Sequence, residues 1–385
     1  MSYYQEAKSL EEKLITWRRD LHQIPEVGLE LPQTVAYVSE QLKEMNIEHT
    51  VLSDISCITA TLGQGSPCIL LRGDMDGLPI EEPAGLEYAS TNGCMHGCGH
   101  DLHAATMLGV AALLKMHESE LHGSVKLLFQ SGEEIFAGAQ ASIQAGILEN
   151  PKVDAAFAMH AFAEYDCGRI LYGMRPMASV YGFKITLHGK GGHGSQPERC
   201  IDPINAGVQV YLALQALLAR ECPPTQEAAL TIGQFTAGQA ANAIPEEAIL
   251  QGTLRTFEPE IGRLLSSRIK EIVPAVAAAY RCTCEIETLS DVPCLMCDET
   301  FTKQALASAE RSGAVEDFQD GLHLIGSEDF ARFSEKVPSC YFIMGAGVED
   351  PSKRRGQHNP EILFNEEAIV RNVAVYTQVA MDYLG

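Results

Sequence analysis

The densest group of side chains that could do chemistry is MHGCGHDLH at 95–103, where Cys98 and His100 stand two apart on a Gly-rich turn before a helix expected near Asp101. A thiolate and an imidazole so placed can converge on one cation, although an Asp101-capped helix start with incidental histidines gives the same string. A second element is the adjacent pair Glu133 and Glu134, just past an apolar run. One carboxylate can ligate a metal while its neighbour, aimed differently by the bend, reaches a bound water. His160 at a strand end and His358 in GQHNPEI add two imidazoles. Together Cys98, His100, Glu134, His160 and His358 offer one soft sulfur, three nitrogens and an oxygen, a set suited to zinc, manganese, cobalt or nickel rather than calcium or magnesium. Five donors exceed one tetrahedral site and point to two neighbouring cations. Such a pair makes hydroxide from a shared water at neutral pH and polarises a carbonyl oxygen, which leaves Glu133 to carry the proton to a departing nitrogen.

These donors need a frame, and the apolar patterning supplies one. ILL at 69–71 stops at Arg72, Gly73 and Asp74; VKLLFQ at 125–130 stops before Glu133; DAAFAM at 154–159 stops at His160; CYFIMGAG at 340–347 is a fourth run. Short apolar runs of this kind predict strands buried on both faces. Helical spacing over 7–22, with Leu10, Leu14, Trp17 and Leu21 on one face, and over 33–45 and 101–117, completes an α/β alternation. Ligands in such sheets bind beyond the carboxyl ends of the strands, where the candidate donors fall. The middle of the chain differs. YGFKITLHG at 181–189 alternates apolar and polar residues, as a strand with one covered face does. The following pattern of helix (203–220), strands (229–236 and 247–257), helix (258–279) and strand (281–288) is the βαββαβ order of a ferredoxin-like unit. The expected organisation is therefore a mixed α/β domain over 1–179 and 291–385, interrupted by a smaller domain over 180–290.

With 385 residues, 28 Lys plus Arg and 51 Asp plus Glu, the chain is a globular protein of net charge −23. That balance disfavours nucleic acid and anionic membranes as partners. The N-terminal stretch lacks a secretory pattern and no window approaches a membrane span, so a soluble, cytoplasmic protein is expected. Its twelve cysteines are then mostly buried thiols, and the CxxC of Cys294 and Cys297, with no second CxxC nearby, is a weak zinc-ribbon signal.

The motifs MHGCGHDLH, LLRGDMDGLPI (70–80), QSGEE (130–134), AMH (158–160), GKGGHGSQPE (189–198), NAIPEEAILQGTLRTF (242–257), GSEDF (326–330) and GQHNPE (356–361) resemble those of the dinuclear metallo-aminoacylase and carboxypeptidase family. The similarity is greatest to its branch of hippurate hydrolase, auxin-conjugate hydrolases and N-acetyl-diaminopimelate deacetylase. The resemblance implies a zinc-peptidase-like domain with an inserted lid through which two copies dimerise. It implies Cys98, His100, Glu134, His160 and His358 as ligands of two divalent ions, Glu133 as general base and acid, and Asp76 as an orienter of a ligating imidazole. By the same resemblance, His193 reaches a neighbouring subunit's active site and supports the oxyanion there, while Asn242 and Arg255 hold a substrate carboxylate. Asp74 stands where many members of the wider family carry histidine, and QSGEE and Gly97 depart from the commoner QPAEE and alanine. The implied reaction is hydrolysis of a small N-acyl amino acid, acetyl or aroyl, to a carboxylic acid and a free amino acid. A dipeptidase or carboxypeptidase is the alternative. Two further readings are a thiol hydrolase using Cys98 and His100, and a silent metal-binding homologue, which the presence of Glu133 disfavours.

Overall fold

The computed structural model of the protein describes residues 2–83 and 85–385. Two compact units divide the chain. The first takes the residues up to Pro176 with Met296–Leu322 and Asp329–Gly385; the second takes Met177–Leu295 with His323–Glu328.

The first unit is built on an eight-stranded mixed sheet. Its strands lie in the order His49–Leu52, Cys57–Gly63, Ser124–Gln130, Cys68–Asp74, Ala155–Asp166, Ser339–Gly347, Arg169–Tyr172 and Asp317–Asp320. The central four are mutually parallel, and three of them, Cys68–Asp74, Ser124–Gln130 and Ser339–Gly347, are buried along their whole length. Continuous apolar runs are what strands covered on both faces require. Helix His100–Met116 is buried almost throughout, consistent with its Ala- and Leu-rich sequence. Helix Glu367–Leu384 packs against it.

Parallel pairing brings the ends of the strands to one level. Asp74 pairs with Gln130, and Arg72 with Ala158; two residues further along, Asp74 is therefore level with His160. The candidate residues thus gather at one rim of the sheet. The helix expected over 7–22 is instead two, Tyr3–Ser9 and Glu11–His22. The first ends because the Ser9 hydroxyl donates to the Glu6 carbonyl and the Leu10 amide closes a tighter turn onto Ala7 at 3.0 Å.

The second unit holds an antiparallel sheet in the order Thr283–Val292, Val180–His188, Glu247–Thr256, Ala228–Ala237. Phe183, Ile185 and Leu187 are buried against helices Pro203–Glu221 and Pro259–Ala279, while Lys184, Thr186 and His188 alternate with them at intermediate exposure. Among the described residues, no helix is long and apolar enough to cross a membrane, and all twelve cysteines are free thiols, seven of them buried.

Candidate metal centre

Three turns and one strand deliver the donors. Gly99 precedes helix His100–Met116 in the left-handed region (φ 87°), and a Cβ there would lie 2.9 Å from the Phe364 ring. Only glycine lets the turn present Cys98 and His100 together. After strand Ser124–Gln130, Gly132 is also left-handed, and a Cβ would meet Leu29 at 2.5 Å. Glycine therefore suits the bend that aims Glu133 and Glu134, since a side chain there would be strained and would have to displace Leu29. Gly97, by contrast, has ordinary contact distances around a built Cβ, so alanine would fit. The third turn carries His358 at φ 66°, its amide donating to the Gly97 carbonyl at 2.9 Å.

The five candidate donors form one continuous cluster. Cys98 Sγ is 3.5 Å from His160 Nε2, His100 Nε2 is 3.9 Å from Glu134 Oε1, and Glu134 Oε2 is 3.3 Å from His358 Nε2. The donor atoms of Cys98, His100 and Glu134 all lie within 4.8 Å of one another. Glu133, the neighbour of Glu134, is buried. Asp76 supports two of the donors: its carbonyl and Oδ1 lie 3.0 and 3.2 Å from His100 Nδ1, and its Oδ2 accepts from the Glu134 amide at 3.1 Å. Nδ1 of His100 therefore donates to Asp76 and Nε2 faces the cluster; burial alone would lower this imidazole, but the charges of Asp74 and Cys98 hold it well above its usual range, so a cation that takes Nε2 displaces a proton there.

A divalent cation fits these residues. His100 Nε2 and Glu134 Oε1 are buried and have no hydrogen-bond partner among the described residues, a costly arrangement unless something satisfies both. Burial, together with the facing His103, pushes the His160 imidazole well below its usual range, into the neutral form that ligates. Burial also pushes the Cys98 thiol up, so the thiolate needs a cation to stabilise it. Burial alone would raise the Glu134 carboxyl, but the hydrogen bond to His358 and the charge of His100 outweigh it and hold it below the usual range.

His103 and Gln357, which the sequence did not single out, complete the surround together with Asp74. Asp74, His103, His100 and His160 also approach within 4.8 Å of one another, yet Asp74 and His103 are committed elsewhere. His103 Nε2 accepts from the Ala161 amide at 2.8 Å and its Nδ1 donates to Asp74 Oδ1, while Asp74 Oδ2 accepts from Arg72. Gln357 donates from Nε2 to the carbonyls of Cys98 and Ala161 at 3.0 and 2.9 Å, stitching the Cys98 turn to the His160 strand. One signal for His103 was available, since three residues after His100 is the same helix face.

His193, Asn242 and Arg255 lie in the second unit. His193 and Asn242 come together: Ala243 pairs with His193, and the Gly194 amide donates to the Asn242 carbonyl at 2.8 Å. His193 Nδ1 accepts from the Ser195 amide at 3.2 Å, which leaves its proton on Nε2. Arg255 uses Nη1 to hold the Ile325 carbonyl and Ser327 Oγ at 2.8 and 3.0 Å.

A buried carboxylate beside a cluster of sulfur, nitrogen and oxygen donors, at the carboxyl ends of the parallel strands of a mixed sheet, defines a metal-dependent hydrolase of amide bonds. Residues 70–382 match the family described as Peptidase family M20/M25/M40, and the chain belongs to that family. It is 35% identical over 385 residues to an N-acetylcysteine deacetylase of Bacillus subtilis, covering 98% of each chain. It is 32% identical over 376 residues to an IAA-amino acid hydrolase of Arabidopsis thaliana, covering 95% of this chain and 84% of that one. Among solved structures, it is similar to the YXEP protein of Bacillus subtilis, titled a dinuclear metal binding peptidase of the M20 family. That match has a TM-score of 0.83 and 32% identity, and covers 98% of this chain and 99% of the other.

Proposed function

We propose that the protein hydrolyses N-acyl amino acids, of acetyl or aroyl type, with Cys98, His100, Glu134, His160 and His358 holding two divalent ions. The observation that carries this reading is the pair of buried, unpartnered donor atoms, His100 Nε2 and Glu134 Oε1, inside a five-donor cluster beside Glu133. The deacetylase and conjugate-hydrolase relatives support the substrate class. Ions bound there supply Lewis-acid polarisation of the scissile carbonyl and make a nearby water more acidic.

The chain's own residues do the rest. Glu133 takes the proton of the attacking water and delivers it to the departing amine nitrogen. Asp76 fixes the tautomer of His100 and the backbone of Glu134. His193 reaches the active site of a second copy of the chain, where its Nε2 proton donates to the developing oxyanion. Asn242 and Arg255 receive the substrate carboxylate, for which a planar guanidinium has matched geometry. Incubating the metal-reconstituted enzyme with acetyl- and benzoyl-amino acids and with dipeptides tests the reading by amine release. Amine release from the acyl series and not from dipeptides is the expected result; the reverse order makes the protein a dipeptidase, in line with its carboxypeptidase relative from Saccharolobus solfataricus, which is 31% identical over 388 residues.

We also infer a homodimer through the second unit. Strand Ala228–Ala237 is an edge of its sheet. Phe235 on that strand and Val208, Tyr211 and Leu212 on helix Pro203–Glu221 are exposed. An open strand edge beside an apolar helix face suits a second copy of the same surface. Sedimentation equilibrium at twice the 41.8 kDa chain mass is expected; a chain that stays monomeric at micromolar concentration removes the inference.

A further inference from the structure

The floor beneath the proposed metal ligands is a buried chain of charged groups that ligation itself does not require. Asp329 Oδ1 accepts from Arg72 Nη2 at 3.0 Å, Arg72 Nη1 donates to Asp74 Oδ2, Asp74 Oδ1 accepts from His103 Nδ1, and His103 Nε2 accepts from the Ala161 amide. Every side chain in it is at most 3% exposed. Burying ions is expensive, and apolar replacements of similar volume serve stability as well or better. What the chain reaches gives it a purpose. The His103 ring meets His160 edge-on, with centroids 4.4 Å apart and planes at 76°. His160 Nδ1 in turn donates to the Ala161 carbonyl at 3.0 Å. Ala161 is thus gripped at its amide by His103 and at its carbonyl by both His160 and Gln357.

We propose that His103 is a positioning residue for the metal centre: clamped between Asp74 and the Ala161 amide, it holds the His160 ring in the orientation in which Nε2 can ligate. Both ring nitrogens of His103 are already committed, so it acts through His160 and not as a ligand. Asp74 accordingly has a different task from a ligating histidine at the same place. It anchors His103, and Arg72 neutralises it.

The inference rests on the dinuclear reading above, and the test separates the two. His103→Phe keeps a flat ring against His160 but deletes both hydrogen bonds. The metal-free chain is titrated with Co(II), following stoichiometry and the visible d–d spectrum. The wild-type chain should bind two ions, and H103F should bind one of them about ten- to hundredfold more weakly, the usual effect of removing a partner that orients a ligand. Its spectrum should change, and H103Q, whose amide oxygen can still accept from Ala161, should recover part of the loss. If H103F does not fold, H103Q and D74N carry the comparison, with weaker binding of one ion expected in each. Two ions bound by the folded variants with wild-type affinities and an unchanged spectrum overturn the role of His103 alone. A wild-type chain that binds fewer than two ions overturns the dinuclear reading and this inference with it.

Discussion

Glu133→Gln should lower turnover of an N-acyl amino acid by about a thousandfold, while leaving the metal complement unchanged. The amide is isosteric with the carboxylate, so the buried volume between Ser131 and Glu134 is preserved. The turn that presents it is held by the backbone, with the Phe136 amide donating to the Glu133 carbonyl at 2.7 Å. His100 Nδ1 and the Glu134 amide are both held by Asp76. The substitution therefore isolates proton transfer. Gln cannot take a proton from water or return one to an amine, and general acid–base catalysis contributes about 10²–10⁴ in rate. A thousandfold loss is about 4 kcal/mol of barrier. Steady-state kinetics with metal analysis of the same preparation decides it. Full turnover in E133Q would show that another group moves the proton, and lost metal would show that Glu133 belongs to the coordination sphere.

The sequence carried the donors more plainly than their surroundings, for a physical reason. Each donor follows a buried apolar run or a Gly-rich turn, so its position is marked by the pattern before it: LLFQ ahead of Glu133 and Glu134, AFAM ahead of His160. Such marks are local. The Arg72–Asp74–His103 chain is assembled across strands and a helix, and a string shows Arg72 only as a charge at the end of an apolar run. Gln357 stands beside a candidate ligand, but its two acceptors, the Cys98 and Ala161 carbonyls, are backbone atoms that no residue type announces. The fold divides along the same line. Strands buried on both faces and the alternating Phe183, Ile185 and Leu187 were legible from period and hydropathy. The strands His49–Leu52 and Cys57–Gly63 were not, because they are defined by pairing, the first with the second and the second with Ser124–Gln130, rather than by their own composition. The break at Leu10 escaped a helical period that continues across it, since a serine hydroxyl turned back on its own helix leaves that period unchanged.

Stripping the enzyme with EDTA should abolish hydrolysis, and adding Zn(II), Mn(II) or Co(II) should restore it. Stripping should be faster at lower pH, where the thiolate and imidazoles take up protons that compete with the metal. The rival use of the same residues is a thiol hydrolase, with Cys98 attacking and His100 as its base, and chelation separates the two because covalent thiol catalysis needs no ion. The geometry already weighs against that rival. A reactive cysteine needs its thiolate stabilised at neutral pH, whereas burial pushes the Cys98 thiol in the opposite direction. His100, which would receive the proton, has Nδ1 bound to Asp76 and Nε2 set between carboxylates, 3.7 Å from Asp74 Oδ2 and 3.9 Å from Glu134 Oε1. Iodoacetamide cannot settle the matter, since alkylating Cys98 disables a ligand as surely as a nucleophile. Full activity of a verified metal-free preparation would assign the chemistry to sulfur; loss on stripping and return on reloading assigns it to the cation cluster, in which Cys98 serves only as a ligand.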